Sequence, residues 1–370
     1  MKRLILLIAV GAVCFAWGKA VERRTSQPAP ADVTAPAPNF ASEPLWAYGY
    51  LTPPQQGDTA QPQAPPTRNL RGNEDPTGQT RPRHVAGSTA TYSLVDVRDS
   101  GHVIDWFPGD HPPMPAVIQR GPAAMGEVTR GCASCHLPNG KGRPENAPVA
   151  GLSTAYFLQQ IQDFRNGLRR TADPRKPNTP TMITLAMAMT DAEVLEAAAY
   201  FGAIAYDTPW VRVVESATVP RTKIVGNLFL PIEKTTSEPI NGRIIEVPED
   251  EAQSELVRNP RSGFVAYVPP GSIERGRELA TTGGAKVVGT QVVAGRATAC
   301  VTCHGPDLAG IERVPPIAGR SPSYVARQLW DIQQGTRNGP GVQLMKAAIA
   351  HLTADDIVSL AAYVASRPSR

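Results

Sequence analysis

"CASCH" (Cys132–His136) and "CVTCH" (Cys300–His304) are the two stretches on which the reading of this 370-residue chain turns. They hold four of its five cysteines; the fifth, Cys14, lies near the N-terminus. Two Cys-x-x-Cys pairs can share one zinc ion, but here 164 residues separate them, far beyond the spacing of a zinc ribbon. A redox dithiol has no use for the histidine that follows each pair. Cys-x-x-Cys-His is instead the attachment pattern of covalent haem. The two thiols add to the vinyl groups as thioethers, and the adjoining imidazole takes the iron. The pattern points to two haems c per chain, on Cys132 and Cys135 with His136, and on Cys300 and Cys303 with His304.

The residues after the motifs repeat. At a constant offset of 168, "PVAGLSTAYFLQQIQDFRNGLR" lies over "PIAGRSPSYVARQLWDIQQGTR". Pro148, Tyr156, Gln160, Asp163, Gly167 and Arg169 then match Pro316, Tyr324, Gln328, Asp331, Gly335 and Arg337. Apolar residues recur at helical spacing behind Ser-Thr and Ser-Pro starts, which predicts a helix in each half. Past Gly335 the second half is five residues shorter and the offset becomes 163, laying "MITLAMAMTDAEVLEAAAYF" over "MKAAIAHLTADDIVSLAAYV". Thr190 and Thr353, each three residues before an acid (Glu193, Asp356), read as capping boxes of a last helix.

The repeat also sorts the methionines. Met182, Met187 and Met189 stand within eight residues, and methionine is both an adaptable packing residue and a soft metal ligand. Met345 is the only methionine after Met189, so it is the one thioether available to the second half. Its partner under the offset is Met182, while Met187 and Met189 fall over Ala350 and Leu352, positions that read as packing at the entry to the last helix.

Each half resembles a class I cytochrome c domain, and the pair resembles the two-domain, di-haem cytochromes c of bacterial periplasms. The resemblance covers residues 113–205 and 269–370. It implies a distal methionine from the loop before the last helix, the place of Met182 and Met345, with Met187 and Met189 as alternatives to Met182. It also implies a proline after the motif that accepts the proximal His Nδ1–H, which suggests Pro148 and Pro316. "VIQRG" (Val117–Gly121) corresponds to "SIERG" (Ser272–Gly276), where glycine lets the last helix, with Tyr200 or Tyr363, cross closely. Two segments lie outside the family pattern: the insert "TTGGAKVVGTQVVAGRATA" before Cys300, and residues 206–268, in which "WVRVVESATV" and "GRIIEVPED" read as short strands.

The remaining sequence sets the context. "MKRLILLIAVGAVCFAWGKA" has the basic start, apolar run and small-residue end of a signal peptide over residues 1–20, and the run is short for a spanning helix. An uncleaved anchor or a lipid on Cys14 are the alternatives, and only the first would tie the chain to a membrane by a helix. Export places the protein in the periplasm, which suits covalent haem. Residues 28–82 hold twelve prolines among Gln, Thr and Ala, too little apolar surface to fold alone, so 21–112 reads as an irregular arm, either tether or wrapping. Its more apolar end, 88–118, is expected to dock on the first folded domain. The charge of +4 falls to +1 without Lys2, Arg3 and Lys19, and no basic run interleaved with aromatics appears, which excludes nucleic acid as a partner. The expected fold is mainly α: two helical domains (113–205 and 269–370) joined by a segment with short strands (206–268).

Further residues have two readings each. Arg169 and Arg337 either pair with haem carboxylates or lie solvated at a helix end. His351 is a rival distal ligand, and Trp330 is helix packing or a haem-edge residue. His84, His102 and His111 read as solvated. Iron held by His and Met has no open position, so the expected function is single-electron transfer between redox proteins such as a periplasmic dehydrogenase and a membrane oxidase or reductase. A cytochrome subunit of a larger dehydrogenase or oxidase complex is the alternative. A di-haem peroxidase, which needs one opened iron, is the reading from another class. No mature cysteine is left over for a cysteine-ligated iron.

Overall fold

The computed structural model describes residues 44–50, 78–206, 210–232 and 236–369. The signal peptide of residues 1–20 and the lipid alternative at Cys14 lie outside the described residues. Helices are α1 (Leu94–Val97), α2 (Ala116–Gln119), α3 (Ala133–His136), α4 (Thr154–Arg165), α5 (Asn178–Ala188), α6 (Asp191–Gly202), α7 (Ser272–Thr282), α8 (Val301–His304), α9 (Pro322–Gln333), α10 (Gln343–Ile349) and α11 (Ala354–Ser366). Strands are β1 (Val211–Glu215), β2 (Thr218–Pro220), β3 (Thr222–Val225), β4 (Leu228–Pro231), β5 (Ser237–Pro239), β6 (Ile245–Pro248), β7 (Phe264–Val268), β8 (Lys286–Val288) and β9 (Gln291–Val293). Among the described residues no single helix is long and apolar enough to cross a membrane.

The repeat is visible in the helix starts. Ser153 and Ser321 accept from the N–H groups of Tyr156 and Tyr324 at the heads of α4 and α9. Thr190 and Thr353 form reciprocal capping boxes with Glu193 and Asp356 at the heads of α6 and α11. Pro322 at the first turn of α9 sacrifices no helical bond, because that N–H has no partner inside a helix.

The halves differ at their first helices. In the second half α7 runs eleven residues and crosses α11 closely. A Cβ on Gly276 would stand 1.9 Å from the Ser359 carbonyl oxygen and 2.7 Å from Tyr363 Cβ. In the first half α2 is a single turn, ended by Gly121 at φ +95° before Pro122, which disfavours helix in the residue it follows. Gly121 therefore does not face the last helix as expected; its neighbours are Thr129 and Arg130, the latter's carbonyl oxygen 2.3 Å from where a Cβ would lie. Tyr200 of α6 instead donates its hydroxyl to the Pro138 carbonyl at 2.7 Å.

The inter-domain segment forms strands where expected. β7 is the middle strand, parallel to β1 (Val211 beside Phe264) and antiparallel to β6 (Ile245 beside Tyr267). Glu246 in β6 is fully buried and accepts from Ser321 Oγ at 2.8 Å and Ser323 N at 3.3 Å, tying this sheet to the head of α9. Burial pushes its pKa up to about 7. The insert before Cys300 is the hairpin β8–β9, with four valines 51–75 % exposed.

Of the arm, residues 44–50 wrap rather than tether. Leu45–Tyr48 make a buried 3-10 turn in the core shared by both halves. Tyr48 donates to Asp331 Oδ1 at 2.7 Å, Arg327 to the Ala47 carbonyl at 2.5 Å, and Tyr50 to the Arg175 carbonyl at 2.6 Å. The 88–118 stretch docks on the first half through Val103 N to the Gln119 carbonyl and the Ser100 carbonyl to Gly131 N. Trp106 is buried with its indole N–H on the Val257 carbonyl at 2.8 Å.

The halves face each other through residues that the repeat had matched. Arg337 donates to Tyr156 Oη at 2.7 Å and Gln160 Oε1 at 3.1 Å, and also to Gln328 of its own half at 3.1 Å. Arg169 does the reverse, reaching Tyr324 Oη at 3.3 Å and Gln328 Oε1 at 3.2 Å, with Gln160 of its own half at 3.0 Å. Around them Arg170 N bonds the Thr336 carbonyl and Asn338 N the Leu168 carbonyl, so the two chain segments run antiparallel. Each half thus inserts an arginine into the other's Tyr–Gln pair. This corrects the reading of a solvated helix end, for Arg337 is only 7 % exposed.

Two outcomes follow. Gly276→Ala should destabilise the protein by about 1–3 kcal/mol in urea unfolding, because a methyl there meets backbone that cannot move aside; an unchanged midpoint would refute the close crossing. Arg337→Ala should cost about 1.5–3 kcal/mol and more than Arg169→Ala, since its charge-assisted bonds are the more buried; a loss under about 0.5 kcal/mol would show that this network does not hold the halves.

Candidate haem sites

The turn after each motif places its histidine. His136 and His304 end α3 and α8, and each Nδ1 stands by a backbone carbonyl: Ala147 O at 2.7 Å and Pro315 O at 2.9 Å. A carbonyl only accepts, so Nδ1 carries the proton and Nε2 is left with its lone pair free for a metal. The expected acceptors were Pro148 and Pro316; the oxygen belongs to the residue before each. The prolines still have a physical part, since they force the preceding residue into an extended conformation and so fix where its carbonyl points. Burial lowers the pKa of both imidazoles, which favours the neutral, ligating form.

The four motif cysteines are paired with one another in no disulfide. Removal from solvent pushes the thiols of Cys132 and Cys300 up, so in the absence of a bound group they are held protonated. All four, with His136 and His304, border one continuous cavity of about 1210 Å³ that runs through both halves. That exceeds the ~300–1,000 Å³ of an ordinary ligand pocket. Its wall is mostly apolar: Phe157, Ile161, Phe164 and Leu185 in the first half, Leu329, Ile349, Leu360 and Val364 in the second.

Met182 and Met345 both line this cavity, half-buried. Each sits on a helix, α5 and α10, rather than in the loop the resemblance implied, because Leu, Met and Ala around them are strong helix formers. Met189 also borders the cavity and is 6 % exposed, while Met187 is 64 % exposed and does not pack as expected. His351 is exposed and absent from the cavity wall; Trp330 is buried in the core and absent from it too. His84 and His102 are exposed, as expected. His111 is not: its side chain is covered, bonded to Asp105 at 3.3 Å and the Pro112 carbonyl at 2.9 Å, with its ring against Tyr200.

Arg169 and Arg337 line the cavity where the halves meet, beside Tyr156, Tyr324, Gln160 and Gln328. Sequence reasoning matched every one of these positions but had no signal for a contact between the halves.

The two motifs are covered unequally. In the first half Arg258 donates to the Ser134 carbonyl, Asn139 donates to the Pro260 carbonyl, and Arg143 pairs with Glu255, all from the segment between β6 and β7. Ser134 and Cys135 are half-buried. At the matched places of the second half, Thr302 and Cys303 are exposed, as are Ile311 (54 %) and Leu344 (85 %) nearby in sequence to the motif and to Met345.

The residues present fit covalent haem: paired cysteines, an imidazole held by its far nitrogen, and a thioether on the wall of an apolar cavity. The comparisons agree. A family profile described as cytochrome c matches residues 119–203, and one described as cytochrome c oxidase, cbb3-type, subunit III matches 289–364. Cytochrome c4 of Pseudomonas aeruginosa is 24 % identical over 249 residues, 66 % of this chain and 88 % of that protein. The thiosulfate dehydrogenase electron acceptor of Stutzerimonas stutzeri is 24 % identical over 248 residues, 66 % of this chain and 80 % of its own length. Cytochrome c-554(548) of Halomonas halodenitrificans is 33 % identical over 69 residues, 18 % of this chain and 83 % of that protein. The chain belongs to the class I c-type cytochromes, with two cytochrome c domains in one polypeptide.

Proposed function

We propose that this is a di-haem electron carrier in which His136 and Met182 hold one iron and His304 and Met345 the other, with thioethers at Cys132, Cys135, Cys300 and Cys303. The observation that carries the reading is the single cavity bordered by both complete sets of side chains. Bound haem would supply one-electron exchange at iron, and ligation by a His and a Met side chain would raise its reduction potential and leave no position for substrate. The protein's own residues fix the imidazoles through Ala147 and Pro315, keep water from the apolar walls, and clamp the two domains through the crossed arginines. With a His and a Met side chain available to each iron, the reading favours a carrier over a peroxidase.

The domain layout that goes with it is an arm over 21–112, haem domains over 113–205 and 269–370, and a bridging segment over 206–268. Residues 1–20 act as a secretion signal and the protein works in the periplasm. The exposed rim at Thr302 and Cys303, against the covered motif of the first half, supports exchange with redox partners at the second domain. A second reading, a cytochrome subunit bound to a dehydrogenase, is favoured by the relative named as a thiosulfate dehydrogenase electron acceptor.

A haemochrome assay should return two haems per chain. The ferric protein should show the weak red absorption of sulfur-ligated iron, reduced in Met182→Ala and in Met345→Ala and abolished in the double variant. Full retention in both single variants would contradict the ligand assignment, with Met189 the next residue to test.

A further inference from the structure

The five residues by which the first half exceeds the second fall between Arg169 and Met182, in "RTADPRKPNTPT" (170–181). The corresponding stretch of the second half, "NGPGVQL" (338–344), has no ionisable side chain. Lys176 stands in that longer segment. It is 1 % exposed, lines the cavity, and among the described residues its ammonium has no hydrogen-bond partner.

Asp173 and Asp331 are engaged elsewhere, and Glu145 is engaged through one carboxylate oxygen, its Oε2 being buried without a hydrogen-bond partner among the described residues. Asp173 holds Arg175 through bonds of 3.0 and 2.7 Å. Glu145 holds Arg143 at 2.8 Å. Asp331 accepts from Tyr48 at 2.7 Å and Ala172 N at 2.8 Å. The fourth charged neighbour, Arg327, is itself a cation and is occupied by the Ala47 and Pro144 carbonyls. An ammonium buried without a hydrogen-bonded counter-charge is unfavourable, and burial, then Arg327, push this one well below the usual lysine range. A side chain so placed is complete only when an anion enters the cavity.

We propose that Lys176 binds a propionate carboxylate of the haem attached at Cys132 and Cys135. The assignment to that haem follows from the chain: Lys176 leads directly into α5, which carries Met182, and the same lip is tied to the first half by Asn178 Nδ2 on Asn146 Oδ1 at 2.7 Å. The inference rests on the di-haem reading above. A fixed cation beside a haem disfavours the ferric state, whose iron carries the extra positive charge. The pairing therefore raises the potential of the first haem alone and gives the two irons unequal potentials in a molecule whose ligands are otherwise repeated.

The test is a spectroelectrochemical titration of the full-length, haem-loaded protein at constant pH, with loading checked by haemochrome. Lys176→Met should lower one of the two midpoint potentials and leave the other in place, and Lys176→Arg should keep both near the parent values. Lys176→Gln, neutral but able to hydrogen bond, is carried beside the Met variant against a loading failure and should shift the same midpoint downward. Midpoints that ignore the neutral substitutions, or an Arg variant that shifts as far as the Met variant, overturn the proposal while leaving the di-haem reading intact. A parent protein with fewer than two haems overturns that reading and the proposal with it.

Discussion

Arg337 lies in the Tyr156–Gln160 pair of the other half, and Arg169 in the Tyr324–Gln328 pair opposite. The rest of the molecule depends on this exchange. Guanidinium is always charged and presents its donors in a planar fork, so each arginine holds a hydroxyl and an amide oxygen in one fixed geometry. Because the six residues are three pairs at the repeat offset, the contact is close to two-fold symmetric, as expected when two copies of one domain meet face to face. It lies on the wall of the cavity that both motifs share, so the bonds that join the domains also set the haem sites against each other.

The segments outside the repeat break that symmetry in a consistent direction. The arm threads Tyr48 onto Asp331, the bridge lays Arg258 and Pro260 over the first motif, and the longer loop of the first half adds Lys176. The bridge and the longer loop enclose and charge the first site, while the arm packs on α9 of the second half. The second site keeps an exposed motif, an exposed valine hairpin and the exposed Leu344 beside Met345. A repeated scaffold with one enclosed and one open end suits a relay with a direction better than two equivalent stores.

Much of this was legible beforehand, for identifiable reasons. The motifs carry their chemistry in residue type and spacing, and caps such as Thr190–Glu193 are local, so both read directly from the chain. Strands β1 and β6 were visible because alternating and β-branched residues report a pleated surface. The misreadings are all matters of tertiary contact. Pro148 and Pro316 looked like acceptors, yet they act through the carbonyl of the residue before them. Gly121 copied the place of Gly276 but not its partner, since Pro122 stops the helix after one turn. His111 and Arg337 carry charge-capable side chains and so looked solvated, and only long-range neighbours reveal that Tyr200 and Tyr156 cover them. Met187 lies on α5 and points to solvent, while Met189 follows the helix end and turns inward, a distinction that the offset to the second half did not carry.

The central claim is that the two cytochrome domains form one electron-transfer unit across the crossed arginines. The direct measurement is rapid photochemical injection of less than one electron per molecule into the oxidised, fully loaded protein, followed at wavelengths where the two haems differ. The account predicts a relaxation between the haems whose rate is independent of protein concentration. A relaxation that speeds up in proportion to protein concentration would mean that electrons pass only between molecules, and would contradict it.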